Sequence, residues 1–484
     1  MTRVSDVNVA ERSFPESRKR VPRAFVLGIG IVLLSVSVVA RVGRFGFNPT
    51  DQGFVLAQMW RVLHGELPQV DFLGPRPFGS AYLHLVDRLV PAPLMIGSSF
   101  VMMVQLTVAT FALAAFLTGT SPLEWGPLRT GLVFTAALVS LNTYPLMAWH
   151  TVDGVFLVAV GWWLVDSGLR SDSRWRRWLG LFCIGFAVIV KQSFLFAAPI
   201  GLLILLFHPA AQSKKVPRLL GDLLVLGAAP SLYFGMVTVA GGLRSAIAQL
   251  SGGQQTWGEG LAVAWSAREH LGEFGRWLRV ATATCVAAVV RRRLPWRYLS
   301  IAALGWMAAL SWGYPFPGLL AGIFALGVLE AVVPPDPPRP PKIAGAALAA
   351  VTFVLVALLL LSAHDKAPYA DRPQGELTKD PFVAPVFGVR NPFPLDWPLP
   401  MELTGDSPER MVEAAERLDR EGNYLVLFQT VKAVSLTAGL PVPDAVAPDA
   451  PTIALSGVEK RIQEKLTGAK VACGSFVGFW VPAR

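Results

Sequence analysis

Residues 94–118 read LMIGSSFVMMVQLTVATFALAAFLT, a run from Leu94 to Thr118 without one charged side chain. A helix needs roughly 20 mostly apolar residues to cross the hydrocarbon core of a bilayer, and this stretch has them with a margin. The rest of the chain agrees in kind. Over 484 residues it is 53% hydrophobic and 16% charged, with a mean hydropathy of +0.48; soluble domains carry roughly 25% charged residues. A water-soluble fold of this composition would expose large apolar patches. The expected fold is therefore an α-helical polytopic membrane protein.

Outward from 94–118, further apolar segments lie near 129–147, 152–169, 177–192, 194–208, 219–240, 277–290, 297–312, 315–333 and 343–363. Ala24 to Ala40 precedes them, behind Arg18-Lys19-Arg20 and Arg23. That run exceeds the roughly 7–15 residues of a signal-peptide core and no small-x-small cleavage pattern follows, so it reads as a retained first helix. The total is about eleven crossings, an odd number, which puts the two termini on opposite sides.

Lys and Arg positions set the orientation. Arg170, Arg174, Arg176 and Arg177; Lys214, Lys215 and Arg218; Arg291, Arg292, Arg293 and Arg297; and Arg339 with Lys342 fall in alternate connections, while 148–151, 192–193 and 312–315 carry none. Residues 1–23 are then a cytoplasmic tail, 24–363 a multi-pass domain in the cell membrane, and 364–484 an extracytoplasmic domain. The net charge of +10, from 43 basic and 33 acidic residues, is accounted for by topology, and nucleic acid is not an expected partner. Cys183 and Cys285 lie in apolar runs and Cys473 far away, so none suggests a metal site or disulfide framework.

Two outer loops are too long to be mere connectors. The first, 41–93, contains two candidate amphipathic helices, about Asp51 to His64 and about Pro77 to Val90, with Gly65, Pro68, Gly74 and Pro75 between them. Such helices suit the membrane interface. The second, 241–276, opens with Gly241-Gly242 and reads as a mobile loop followed by a short helix. Pro334 to Pro341 is a stiff linker. The 364–484 domain reads as small α+β: a helix from Ser407 to Glu421 with Ser407 as N-cap and Pro408 at the first position, a strand from Tyr424 to Gln429, a helix near 457–466, and a strand from Val471 to Val481.

The chemistry concentrates in Asn48-Pro49-Thr50-Asp51-Gln52-Gly53-Phe54, His64-Gly65-Glu66-Leu67-Pro68 and Asp71-Phe72-Leu73-Gly74-Pro75-Arg76-Pro77-Phe78-Gly79. Asp51 reads as an ordinary N-cap or as a carboxylate that deprotonates an acceptor hydroxyl. Arg76 reads as a head-group anchor or as a guanidinium that holds a phosphate. Asp153, in His150-Thr151-Val152-Asp153, is a cap to the following helix or a group that orients an acceptor. Lys191 is either snorkelling or functional in a tight outer hairpin. His64, Tyr82 and His150 are further polar candidates, each open to a structural role.

In this order the motifs resemble the GT-C superfamily of membrane glycosyltransferases, in particular the branch of protein O-mannosyltransferases and lipid A aminoarabinose transferases. The resemblance runs over roughly residues 20–210. In that branch an acid opens the first outer loop, a helix and a Gly-x-x-Pro turn follow, and a Lys/Arg-Pro-Pro-like element precedes a second interfacial helix. Gln52 departs from the usual second acid and Phe78 from the second proline. The Gly185 to Lys191 spacing matches a further element. The resemblance implies a polyprenyl-phosphate-linked sugar donor, an extracytoplasmic glycan, lipid or protein acceptor, and inversion by direct displacement. Asp51 would be the catalytic base, Arg76 and Lys191 the donor-phosphate ligands, and Asp153, His64, Tyr82 and His150 acceptor or orienting groups. No metal ligand set is evident, although a divalent cation is compatible with the pattern.

No Walker loop, Rossmann fingerprint, His-Glu-x-x-His or Gly-x-Ser-x-Gly is present in the sequence, so cytoplasmic nucleotide-sugar chemistry has no motif to carry it. A transporter or flippase of a lipid-linked or amphipathic substrate is the alternative; it calls for ionisable residues in mid-span and matching broken helices. A non-catalytic scaffold presenting residues 364–484 is a third reading.

Overall fold

The apolar segments among the described residues form helices. The computed structural model describes residues 23–39, 51–143, 146–208, 215–252, 295–309, 354, 388, 391–396, 402–430, 445–453, 456–474 and 476–482. The expected crossings at 277–290, 315–333 and 343–363, the proline linker, Cys285 and the residues after 252 in the second outer loop lie outside them. The helices are α1 (Arg23–Val38), α2 (Asp51–Leu63), α3 (Gly79–Leu83), α4 (Leu94–Thr118), α5 (Pro127–Thr143), α6 (His150–Arg170), α7 (Arg174–Val190), α8 (Ala197–Phe207), α9 (Lys215–Val239), α10 (Leu243–Gly252) and α11 (Pro295–Ala309). Among the described residues three helices are long and apolar enough to cross a membrane: Leu94–Thr118, His150–Arg170 and Leu219–Val239.

Two expectations change here. The segment expected as a uniform helix at 194–208 begins with a 3-10 turn (Gln192–Phe196) that runs on into α8, and together, as Gln192–Phe207, they form a shorter apolar helix than the three above. The expected mobile loop after Gly241-Gly242 is instead α10, which begins at once behind Gly241 in the left-handed region at φ 76°.

Helix α6 is the centre of the bundle. Val152, Val158, Trp162 and Val165 on it are buried with Phe116 and Leu113 of α4 and Leu181 and Ile184 of α7. The α6–α7 crossing is close because each helix offers a glycine to the other. A Cβ on Gly161 would lie 2.8 Å from the Gly180 carbonyl oxygen, and one on Gly180 would lie 2.6 Å from that of Gly161. Small residues at such crossings bring backbones together, which is how helices associate where lipid offers no hydrophobic drive.

The α7–α9 contact has a related cause. Pro230 lies inside α9 and lacks the N–H that would bond the Leu226 carbonyl. That carbonyl faces Gly185, where any Cβ would collide with it. Gly185 is thus placed by backbone packing, on the same helix that Lys191 caps.

The carboxy-terminal part has its own core. Helices α12 (Ser407–Glu421) and α13 (Val458–Gln463) pack on an antiparallel sheet in the order β1 (Tyr424–Gln429), β3 (Phe476–Val481), β2 (Ala469–Cys473). Met411, Ala415, Leu418, Phe428 and Ile462 fill the space between. The single strand expected at 471–481 is a hairpin instead. Gly474 takes φ 55° there, so the chain reverses and Ala469 pairs with Trp480. The expected cap is also displaced by one residue: Asp406 occupies the N-cap position without a side-chain cap bond, and Ser407 is a buried first helical residue.

Candidate functional site

Helix α2 begins at Asp51, which is therefore its first helical residue and not the residue before it that a cap would be. The Asp51 side chain lies outside the described part of the structure. Its neighbour Gln52 is buried and donates through Nε2 to the Met95 carbonyl at 2.9 Å, so the residue standing in place of a second acid ties α2 to α4. Two residues on, the Phe54 ring meets the His150 ring edge-on at 6.3 Å. The start of α2 is therefore held beside the start of α6.

The loop after α2 is pinned residue by residue. Gln69, in the left-handed region at φ 64°, donates to the Gly74 carbonyl at 3.2 Å and the Arg76 carbonyl at 2.7 Å. Gln192 donates to the Pro75 carbonyl. Phe78, where a proline was expected from the resemblance, is buried against Phe72 at 4.6 Å, and its N–H donates to Tyr233. A Cβ on Gly79 would lie 2.6 Å from the Ile189 carbonyl oxygen; only glycine lets α3 sit against the end of α7. The Arg76 guanidinium is set by these contacts and pairs with Glu402 at 2.5 Å.

Where α3 meets α6, polar groups gather in a dry place. The second amphipathic helix is shorter than its pattern implied: α3 gives way to a 3-10 turn, His84–Leu89. Ser80 and His84, one turn apart, reach His150 and Asp153 in the first turn of α6. His150 Nδ1 and Ser80 Oγ are 2.8 Å apart, and His84 Nε2 and Asp153 Oδ1 are 3.1 Å apart. His84 Nδ1 contacts Asp87 Oδ2 at 2.8 Å. His84 and the carboxyls of Asp87 and Asp153 are fully buried. Burial alone would lower the His84 pKa, but the Asp153 and Asp87 carboxylates outweigh it and hold the ring at about 10.

The consequence is a stability that depends on pH. A histidine raised from about 6.5 in the unfolded chain stabilises the fold fully below that value and loses the contribution as pH rises through about 10. The melting temperature is expected to fall more steeply between pH 7 and 10.5 in the wild type than in His84→Gln, measured by thermal unfolding in one detergent. Parallel curves would show that the ring is not charged.

Lys191 caps α7 and is buried, donating to Thr151 Oγ1 at 3.1 Å and to the Ala308 carbonyl at 3.3 Å. It points inward instead of snorkelling. Thr151 lies beside His150, and Gln192, next to Lys191, donates to the carbonyl of Pro75, next to Arg76. Of the sequence candidates, His150, Asp153 and Lys191 thus come together at the first turn of α6, with Arg76 on the adjoining loop. Two are not. His64 is exposed and lies against Trp60, with ring centroids 4.3 Å apart. Tyr82 is half-buried against Ile189, Ala229 and Tyr233.

Sequence reading missed His84, Asp87, Ser80 and Glu402. The His84-Leu85-Val86-Asp87 spacing is the visible signal, since residues three apart meet on a helical turn. Glu402 had none, because its partner is 326 positions away. Arg61 was missed as well: buried, it pairs with Glu66 at 2.7 Å and Asp396 at 3.0 Å and donates to the Phe393 carbonyl, joining α2 to the segment before α12. Next to it a cavity of about 750 Å³ is lined by Arg61, Glu66, Asp71, Arg410, Arg417 and Tyr424, among others, and by none of Arg76, His150, Asp153 or Lys191.

Arginines expected in solvated inner connections are partly inside. Arg297 reaches Asp166 at 2.7 Å, and Arg177 reaches Asp222 at 3.1 Å; all four side chains are buried. Among the described residues no group of three or more His, Cys, Asp or Glu side chains is placed to hold a metal ion. Cys183 and Cys473 are free thiols.

No protein-family model matches the sequence, and no curated protein does. Among solved structures, the arabinosyltransferase EmbB from Mycobacterium smegmatis is similar at a TM-score of 0.38 and 15% identity. The match covers 78% of this chain and 41% of that one, so the present chain spans about two fifths of that protein's length. A likeness of this size does not specify an activity.

Proposed function

We propose that the chain is a membrane glycosyltransferase that moves a sugar from a polyprenyl-phosphate-linked donor to a hydroxyl acceptor on the extracytoplasmic side. What supports the reading is that Asp153 and Lys191 reach the first turn of α6 with His150, while Gln192, beside Lys191, holds the carbonyl of Pro75, beside Arg76, in a chain whose motifs follow the GT-C order. In the mechanism the acceptor hydroxyl gives its proton to Asp51 as its oxygen bonds the anomeric carbon. The bond from that carbon to the phosphate oxygen breaks, and the lipid phosphate leaves with the electron pair. Arg76 and Lys191 offset the charge that develops on the phosphate, where fixed donors act most strongly in a dry site. Asp153 and His150 orient the acceptor. The 364–484 domain, tied by Glu402 to Arg76 and by Asp396 to Arg61, completes the wall of the site.

The test is sugar transfer from a radiolabelled polyprenyl monophosphate sugar by the purified chain in lipid vesicles, with a glycan-bearing lipid extract as acceptor. Arg76→Gln is expected to raise the donor KM at least tenfold, the equivalent of about 1.4 kcal/mol. A wild-type rate no faster than empty vesicles across hexose and pentose donors would remove the reading, and facilitated passage of the intact donor across the bilayer would favour a flippase.

A further inference from the structure

Helix α7 opens with Arg174-Trp175-Arg176-Arg177-Trp178, at the opposite end of α6 and α7 from His150 and Lys191. Its neighbours fix where it lies. Helix α6 is long and apolar enough to cross a membrane and ends at Arg170, and the apolar part of α9 begins at Leu219. Arg177 and the Trp178 indole N–H both donate to Asp222 of α9, at 3.1 and 3.0 Å. The start of α7 is therefore at a membrane boundary, where one crossing ends and another begins.

The arginines here are of two kinds. Arg170 and Arg177 each have a carboxylate partner, Asp166 and Asp222. Arg174 and Arg176 form no ion pair among the described residues and lie over indole rings instead. The Arg174 guanidinium is 3.8 Å from the Trp178 ring centroid, and that of Arg176 is 5.5 Å from the Trp175 centroid. Such a contact restrains a guanidinium without neutralising it. Over a ring at 3.8 Å, the planar fork of Arg174 directs its N–H donors sideways, open to an acceptor.

Between these two cations runs an apolar stripe. Trp175 is 63% exposed, and Leu179 and Phe182, one and two turns on, are exposed on the same face. At 3.6 residues per turn, positions 174 and 176 lie about 100° to either side of Trp175. Helix α9 also exposes Leu220 and Leu224, one turn apart on either side of Asp222. A soluble anion would use the arginines and leave the stripe in water. An apolar protein partner would use the stripe and leave the charges unpaired. A phospholipid uses both, because its phosphate stays at the boundary while its chains run inward. A zwitterionic head group brings its own cation and gains less from arginines that lack a carboxylate.

We propose that the start of α7 is a binding surface for anionic phospholipid: Arg174 and Arg176 each hold a head-group phosphate beside Trp175, and acyl chains lie along Leu179 and Phe182. By the loop charges this is the cytoplasmic leaflet. The surface is separate from the candidate site and independent of the glycosyltransferase reading.

The experiment measures lipid retention by the purified full chain, using native mass spectrometry from micelles titrated with phosphatidylglycerol or phosphatidylcholine. The wild type is expected to prefer phosphatidylglycerol roughly twentyfold. A basic residue near an anionic surface is worth about 1 kcal/mol, or roughly fivefold in affinity. Arg174→Gln and Arg176→Gln should therefore each weaken phosphatidylglycerol about fivefold and leave phosphatidylcholine unchanged. Because the two lie on separate flanks, their losses should add, and the double variant should show no preference. Arg170→Gln, whose charge is already paired, should keep the preference.

The melting temperature in phospholipid-free detergent checks the fold of each variant. Where the glutamine pair fails to fold, the double lysine variant replaces it. It should still lose at least about threefold, because an ammonium offers phosphate no bidentate fork. Equal retention of both lipids by the wild type, or a preference that survives in the glutamine or lysine pair, would overturn the proposal. So would an equal loss in Arg170→Gln, which would mean diffuse charge, or displacement of the lipid by excess inorganic phosphate, which would mean a soluble-anion site.

Discussion

Asp166→Asn is expected to destabilise the helical bundle by about 3–5 kcal/mol, the cost of removing one partner from a buried ion pair. Asp166 sits near the Arg170 end of α6 with its carboxyl fully buried. Arg297 of α11 reaches it at 2.7 Å and Arg170 at 2.9 Å, and His208 Nε2 lies 3.2 Å away. Asparagine keeps the volume and removes the charge that the buried Arg297 guanidinium faces at 2.7 Å. Arg170 is about a third exposed, so Arg170→Ala should cost at most about 1 kcal/mol. The comparison separates the buried partner from the solvated one. It is read as the midpoint of unfolding by heat or by sodium dodecyl sulfate in mixed micelles. Equal midpoints for Asp166→Asn and wild type would mean that the network is ornamental to stability.

The second large effect is on turnover. Asp51→Asn is expected to lower kcat about 10²- to 10⁴-fold, the usual contribution of a positioned general base, with little change in the donor KM. The start of α2 is held against α4 through Gln52 and against His150 through Phe54, so Asp51 is one residue from a fixed point beside the cluster. Single-turnover transfer on a preparation whose donor affinity is intact distinguishes lost chemistry from lost folding. Retained wild-type turnover would remove Asp51 as the base, and Asp153 would be the next carboxylate to examine.

Both predictions show where reading a chain from its residues works and where it stops. Helix α4 was legible to the residue, because an uncharged run of that length has one stable arrangement in lipid. The Ser407–Glu421 helix and the Tyr424–Gln429 strand were legible from period and punctuation. The hairpin at Gly474 was not, since a continuous apolar run hides a reversal that depends on one positive φ. Nor was the 3-10 turn that opens α8: hydropathy registers greasiness, whereas the change of hydrogen-bond pattern over Gln192–Phe196 leaves no trace in it.

For the site, the residue order was enough to give the chemical types and where they stand along the chain. It singled out Arg76, His150, Asp153 and Lys191, and α2 begins at Asp51 as its sequence suggests, because caps, prolines and charges near apolar segments are local properties. Which of them meet was set by the packing of the helices. Ser80 and His84 clamp His150 and Asp153 across about 70 positions of chain, and Glu402 comes to Arg76 across 326. Such partners leave no periodic trace in a single sequence. Their meeting is set by glycine-mediated helix crossings and by the burial that makes an unpaired charge too costly to leave alone.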